Sequence, residues 1–369
     1  MTDLFDPARF GELQLRNRIV MAPMTRSRAD ARGVINASAS EYYSDRAEVG
    51  LIVTEGVNVG PMSNSFDRAP GLWTEEQAEG WRPIVDRVHG RGGTIVAQLW
   101  HGGRASAMGL LGGRAPFSPS GVNDDLEKLQ VWALLANGAY VRIAATPSKA
   151  MTLDEIGATL DEFHAAAANA VRAGFDGIEI HGANGYLVHE FLSPNMNQRT
   201  DGYGGDAAGR SRFLKEIVSV VADALPLSRI GLRLSPYANY NDAGDQNPAD
   251  TYGHLSNWVE RIGIAYLHLA DTNAWGGASD YDNMVALFRP TYRGPLIVNA
   301  GIDPPRARAI VASGEADAVA FGRLLLANPD LPTRIRQDGP YNQMRHVGIY
   351  GGSDEGYLDY PALNGVGSD

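Results

Sequence analysis

No cysteine occurs anywhere in this 369-residue sequence, which excludes disulfides, thiolate-held iron–sulfur clusters and a cysteine nucleophile. Long apolar runs are missing too: no uninterrupted stretch approaches the ~20 residues that cross a bilayer. The N-terminus, Met1-Thr2-Asp3-Leu4-Phe5-Asp6, has no basic region followed by an apolar stretch, so the expectation is a soluble, unexported, cytoplasmic protein. Dense basic blocks are also lacking. With 32 Lys and Arg against 43 Asp and Glu the formal net charge is −11, and nucleic acid and anionic membrane are poor partners for such a chain. Neither an H-E-x-x-H motif nor clustered His and acidic spacing is present, so no metal site is expected. No G-x-G-x-x-G follows the first apolar run, which counts against a doubly wound dinucleotide-binding sheet.

What is present is a recurrence of short apolar runs bounded by Gly or Pro: Arg18 to Ala22, Gly50 to Thr54, Thr94 to Leu99, Gly177 to His181, Ile230 to Leu234, Ala265 to Leu269, Leu296 to Asn299, and Ala316 to Phe321. Most are apolar on nearly every residue, as parallel strands packed on both faces require. Helical segments lie between them. Thr74-Glu75-Glu76-Gln77 and Thr152-Leu153-Asp154-Glu155 have the form of capping boxes. The second opens an apolar stripe of Ile156, Leu160, Phe163, Ala167 and Val171, closed by Ala173-Gly174. Pro304 after Asp303 starts a further helix. Strands alternating with helices predict an α/β fold, a (β/α)₈ TIM barrel, read as one domain over residues 1–369. Its hydrophobic content of 44% can supply the core of such a barrel. Residues 102–151, rich in Gly and Pro and weakly periodic, are expected to form a capping or lid insertion after strand three.

Active sites of such barrels lie at the C-terminal strand ends, and chemically capable residues cluster there. The fourth run leads into His181-Gly182-Ala183-Asn184-Gly185-Tyr186. His181 and Asn184 can donate hydrogen bonds to an oxygen gaining negative charge, and Tyr186 carries a weak acid proton; a satisfied Gly-rich turn is the plainer account of the same residues. Gly301 and Gly322, after the seventh and eighth runs, would let backbone approach an anion that Arg323 can pair with, although a glycine after a strand is often just a tight turn. Arg233, inside the fifth run, calls for a negative partner, either a structural carboxylate or a cofactor that becomes anionic on reduction. Gln98 offers an amide for a heterocycle edge, or a satisfied interior group. Thr25 sits where its hydroxyl could reach the same ring or merely cap a turn. Phe66, Trp100, Trp275 and Tyr350 could wall a planar ligand or serve as ordinary packing. His89, His164 and His254 fall in helical segments and carry no assigned chemistry.

Taken in order, the motifs resemble the Old Yellow Enzyme family of FMN-dependent ene-reductases over essentially the whole chain. They are Asn17-Arg18-Ile19-Val20-Met21-Ala22-Pro23-Met24-Thr25-Arg26, Gln98-Leu99-Trp100-His101-Gly102-Gly103-Arg104, the His181 loop running on through Phe191-Leu192-Ser193-Pro194, Asn197-Gln198-Arg199, Asp201-Gly202-Tyr203-Gly204-Gly205, and Phe321-Gly322-Arg323. The resemblance implies noncovalent FMN, reduced by NADPH or NADH, which then reduces the C=C bond of an enone or nitro-activated alkene by ping-pong hydride transfer. It assigns Thr25, Gln98 and Arg233 to the flavin ring, Pro23, Met24 and Gly56 to backbone contacts with it, and Gly301, Gly322 and Arg323 to its phosphate. It gives His181 and Asn184 the substrate carbonyl, and Tyr186 the proton donated to the α-carbon. Thr25 stands where one branch of the family carries Cys. The cysteine-free composition excludes the larger relatives with a cluster, and Phe66, where relatives often have Tyr, takes no polar role. Two other readings stay open: a flavin-free barrel lyase holding a phosphorylated substrate, weakened by the lack of Lys at any strand end, and a flavin-binding protein without turnover.

Overall fold

A computed structural model describes residues 2–363. Eight strands close into one barrel in which every pairing is parallel: Ile19–Met21, Leu51–Asn58, Ile95–Trp100, Gly177–Gly182, Ile230–Leu234, Tyr266–Ala270, Leu296–Asn299 and Ala318–Phe321. Each overlaps one of the eight apolar runs. Their residues are almost all buried because one face packs inward and the other under helices. Inside, Val20, Val53, Val96, Tyr266 and Ile297 pack with Phe10, whose hairpin of Ala8–Phe10 and Leu13–Leu15 contributes Leu13 and Leu15 to the same cluster.

Helix ends follow the sequence signals. Thr74 and Thr152 both form complete capping boxes, with Gln77 and Glu155, at the starts of helices Glu75–Gly90 and Leu153–Ala173. Gly174 ends the latter at φ 94°, and the Asp303 side chain caps helix Pro304–Ser313. One expectation fails: Val171 is 39% exposed, and Ala170 is the buried residue that carries the stripe onward from Ala167. At 100° per residue, the step of three from 167 keeps the face that a further step of four swings outward.

The second strand extends past its expected end at Thr54, through an irregularity between Val53 and Gly56. That irregularity has a use. It lets the buried Glu55 carboxylate accept from the backbone N–H groups of Arg26 and Ser27 at 2.9 and 3.0 Å, fixing the loop that carries Thr25. Arg26 in turn donates to the carbonyls of Ile349 and Gly356 at 2.9 and 2.6 Å, binding the segment around Tyr350 to the barrel.

The insertion after the third strand holds a two-residue parallel pairing of Phe117–Ser118 with Lys149–Ala150 and a hairpin of Val131–Leu134 and Tyr140–Ile143. It is tied down by the buried Arg104–Asp125 ion pair and by the Gln130 N–H donating to Asn241 Oδ1 at 2.8 Å. Among the described residues no helix is long and apolar enough to cross a membrane.

Candidate active site

A cavity of about 370 Å³ opens at the C-terminal ends of the strands. Every residue singled out from the sequence lines it: Pro23, Met24 and Thr25 after strand one, Gly56 and Phe66 after strand two, Gln98 and Trp100 on strand three, His181, Asn184 and Tyr186 after strand four, Arg233 on strand five, Trp275 after strand six, Gly301 after strand seven, Gly322 and Arg323 after strand eight, and Tyr350 from the C-terminal segment. Sequence reading missed Tyr240, Asn299, Leu326, Met344 and Ile349, which share the lining. Asn299 had a readable signal as the last residue of its strand. Tyr240 had none, because the loop after strand five carries no pattern that turns one aromatic inward.

Tight turns aim the fourth-strand residues. Asn184 stands at φ 58°, a conformation Asn tolerates, with its N–H donating to Ser235 Oγ at 2.8 Å and its carbonyl accepting from Asn241 Nδ2 at 3.1 Å. Gly185 follows at φ 69°; a Cβ there would meet Tyr240 O at 2.3 Å, so only glycine fits. Tyr186 then sits at the entry to helix Leu187–Leu192. Its ring meets Trp100 edge to face at 5.1 Å and lies 5.5 Å from the His181 ring. Gly56 is also close-packed, since a Cβ would lie 3.2 Å from the Trp100 indole and the ring would have to give way.

Burial holds the His181 ring well below the ordinary histidine pKa, with Arg233 as the next contribution, so the imidazole is neutral. Burial also pushes the Tyr186 hydroxyl well above its ordinary value, reinforced by Tyr240 and Tyr350. The phenol keeps its proton until a strong base forms beside it. Arg233 donates to Asn299 Oδ1 at 2.9 Å, yet its Nε, His181 Nδ1 and Asn184 Oδ1 are buried without a protein partner. Three unmet polar atoms around one cavity call for a polar ligand.

The opposite end of the cavity suits an anion. Gly301 adopts φ 67°, and a Cβ on Gly322 would meet nothing closer than Met24 Sδ at 3.7 Å, leaving the backbone there open to approach. Arg323 is exposed and makes no ion pair among the described residues. The aromatic wall is continuous: Phe66 lies 6.1 Å from Trp100 and 5.4 Å from Tyr350 between ring centres. Trp275 differs from the others, being 57% exposed at the rim, where it meets Tyr240 edge to face at 5.5 Å. A heterocycle-sized space with unmet donors and acceptors at one end and a free cation between open glycine turns at the other fits a flavin mononucleotide.

Comparison with known proteins decides the family. A model described as the NADH:flavin oxidoreductase / NADH oxidase family matches residues 3–342. The chain belongs to that family. It is 37% identical over 365 residues to the putative 12-oxophytodienoate reductase 11 of Oryza sativa subsp. japonica, covering 98% of this chain and 97% of that protein. It is 36% identical over 369 residues to a probable flavin mononucleotide-dependent alkene reductase of Leishmania infantum, covering 98% and 97%. Among solved structures, morphinone reductase superposes with a TM-score of 0.94 at 37% identity, covering 99% of this chain and 98% of that one. This member of the NADH:flavin oxidoreductase family is therefore an FMN-dependent ene-reductase that takes its electrons from a nicotinamide, on the Old Yellow Enzyme barrel that its sequence resembles. These relatives support ene-reduction and not the lyase alternative, and among the described residues no lysine lines the cavity.

Proposed function

We propose that the chain serves as one FMN domain with its insertion as a cap, and that the residues lining the cavity divide the ene-reductase reaction among them as follows. Thr25, Gln98 and Arg233 would hold the polar edge of the flavin ring, Pro23, Met24 and Gly56 its backbone side, and Gly301, Gly322 and Arg323 its phosphate. FMN bound there supplies the hydride, renewed from a nicotinamide in a separate half-reaction. The observation that carries this reading is the convergence of all these side chains on one cavity, with the buried His181, Asn184 and Arg233 each left with an unmet polar atom.

His181 and Asn184 bind the oxygen of an activated alkene as it gains negative charge. A neutral imidazole donates one hydrogen bond and an amide another, which draws electrons from the β-carbon. Tyr186, between them and Trp100, gives its proton to the α-carbon; its raised pKa keeps the donor protonated across the working pH range. Phe66, Trp100, Trp275, Tyr240 and Tyr350 exclude water and set the shape that a small enone or nitro-activated alkene must match. No nucleic acid or membrane partner belongs to this reading, which the net charge of −11 supports; a cytoplasmic location is part of it.

Stopped-flow measurement of the two half-reactions tests the proposal. Reduction by NADPH or NADH is expected to bleach the flavin absorbance, and 2-cyclohexenone to restore it in the absence of oxygen. A yellow protein whose reduced form is not reoxidised by enones or nitroalkenes would refute the assignment of His181, Asn184 and Tyr186.

A further inference from the structure

Two residues before His181, and hence on the same face of the fourth strand, lies Glu179, fully buried inside the barrel. Its register partners are Gln98 on the third strand and Gly231 on the fifth, and Gly231 is registered with Tyr266 on the sixth. One carboxylate is thereby surrounded by donors. Oε1 accepts from Gln98 Nε2 at 2.7 Å; Oε2 accepts from the Tyr266 hydroxyl at 3.1 Å and pairs with His268 Nδ1 at 2.8 Å. Gly231 is part of the arrangement, since a Cβ there would lie 2.2 Å from Tyr266 Cζ. Burial alone would raise the acid's pKa, but His268, Arg233 and the Gln98 hydrogen bond outweigh it and keep the group ionised. Burial lowers the His268 pKa against the pull of Glu179, and in either charge state its Nδ1 carries the proton it donates to the carboxylate.

The fold gives no reason to bury a charge in this place, because apolar residues fill the neighbouring barrel interior and a buried ion pair is seldom more stable than apolar packing. What the carboxylate touches suggests the reason. A carboxylate only accepts, so Gln98 must turn its NH₂ toward Glu179 and leave its carbonyl oxygen available to the cavity it lines. The same negative charge offsets Arg233, the cation on the cavity wall two register rows along, opposite His181.

We propose that Glu179 is a positioning residue that fixes the Gln98 amide with its carbonyl toward the N–H edge of the flavin and, by offsetting Arg233, lowers the reduction potential of bound FMN. It rests on the reading that FMN occupies this cavity. No contact between Glu179 and the flavin or the substrate is required.

The test is the midpoint potential of the Glu179→Gln holoenzyme, measured with FMN dissociation constants for the oxidised and reduced forms. Losing the charge and the enforced amide orientation is expected to weaken oxidised FMN about tenfold, while reduced FMN binds at least as tightly as before because Arg233 acts unopposed, which for a two-electron couple raises the potential by ~30 mV or more. In a Gln98→Leu background the same substitution is expected to leave oxidised-FMN affinity unchanged; a further tenfold loss there would overturn the route through Gln98. Should Glu179→Gln not fold, Tyr266→Phe decides, because it removes one donor and leaves the charge less screened, so its potential should move downward. An unchanged potential in folded, FMN-loaded Glu179→Gln, or an unchanged or raised one in Tyr266→Phe, overturns the proposal. Parent protein that binds no FMN would instead overturn the reading beneath it.

Discussion

Asn241 donates its side-chain amide to the backbone oxygen of Asn184 at 3.1 Å, while its own Oδ1 accepts the Gln130 N–H of the insertion after strand three at 2.8 Å. One residue on the loop after strand five therefore joins a proposed substrate-binding residue, held at φ 58°, to that insertion. Arg104 adds to the junction by donating to Asn241 O at 3.2 Å. Asn241→Ala should cost about 1–3 kcal/mol of stability for the buried groups left unpaired. It should also weaken binding of a phenol that mimics the enone oxygen, because Asn184 loses one of its two backbone anchors. Phenol titration, followed by perturbation of the flavin spectrum, alongside urea unfolding checks both effects; loss of stability with unchanged phenol affinity would separate Asn241 from the site.

Arg233 and Arg323 face opposite ends of the proposed flavin site, and each offers a charge to an anionic part of the cofactor. Arg233→Met and Arg323→Ala are each expected to lose about 1.5–3 kcal/mol of FMN affinity, the usual worth of a hydrogen bond to a charged group. The two should differ in kind. Arg323, exposed at the phosphate end, should weaken oxidised and reduced FMN alike, whereas Arg233 should weaken the reduced, anionic form more. Fluorescence titration of the apoprotein with FMN, in both redox states, reads the difference.

Stability should peak near pH 6 to 7 and fall on both sides. Burial pushes the Glu190 carboxyl up to about 8, against the opposing pull of Arg104; one of its oxygens accepts the Arg104 N–H and the other has no partner. The folded state thus keeps a proton that the unfolded chain releases above ~4.3, so this contribution is full at low pH and lost as pH rises toward 8. Histidines act in the opposite sense. Burial depresses His101 to about 3 and His189 to about 4, so their contribution is present above ~6.5 and lost as the pH falls through the acid range. Between the ordinary carboxylate and imidazole values the depressed histidines, His181 and His268 together with these two, outweigh the raised carboxyls of Glu190, Glu162 and Glu55. Glu190→Gln should therefore flatten the alkaline limb, with a gain over the parent protein of a few kcal/mol, about 3–5, at pH 9. Urea midpoints from pH 4 to 9 measure both limbs; parallel curves for parent and variant would rule out Glu190 as the titrating group.

The barrel was legible because parallel strands buried on both faces must be apolar at nearly every position, which sets the eight runs apart from the amphipathic helices between them. Most strand-end residues follow from that order, whereas Gly56 enters only through the family resemblance. Less legible was anything settled by register or by a local departure from it. The second strand passes its expected end because polar Thr54 and Glu55 sit at the irregularity before Gly56. The Val171 stripe position failed by one helical step. Tyr240 and the Glu179–Tyr266–His268 cluster bring together residues tens of positions apart, and only strand register decides that they meet. Trp275 lines the cavity, but its exposure at the rim depends on a loop whose course no periodicity fixes.

Tyr186 offers the sharpest separation of roles. Its hydroxyl lies beside both the Trp100 and His181 rings, where the neutral imidazole of His181 and the amide of Asn184 donate hydrogen bonds but are far weaker acids than a phenol. Tyr186→Phe keeps the ring, and with it the edge-to-face contact with Trp100, while deleting the acid. Flavin reduction by a nicotinamide should persist at close to the parent rate, because no proton needs to reach carbon in that half-reaction. Enone reduction should slow by about 10² to 10⁴ if proton transfer limits it, whereas turnover with oxygen or a quinone should survive. His181→Ala and Asn184→Ala should behave differently, weakening phenol and enone binding together with the oxidative half-reaction, because they remove donors to the oxygen and leave the acid in place. Stopped-flow traces of each half-reaction distinguish the outcomes. Enone reduction by Tyr186→Phe at the parent rate, with that half-reaction limiting, would move the acid elsewhere, and loss of flavin reduction in the same variant would make the tyrosine a structural member of the wall.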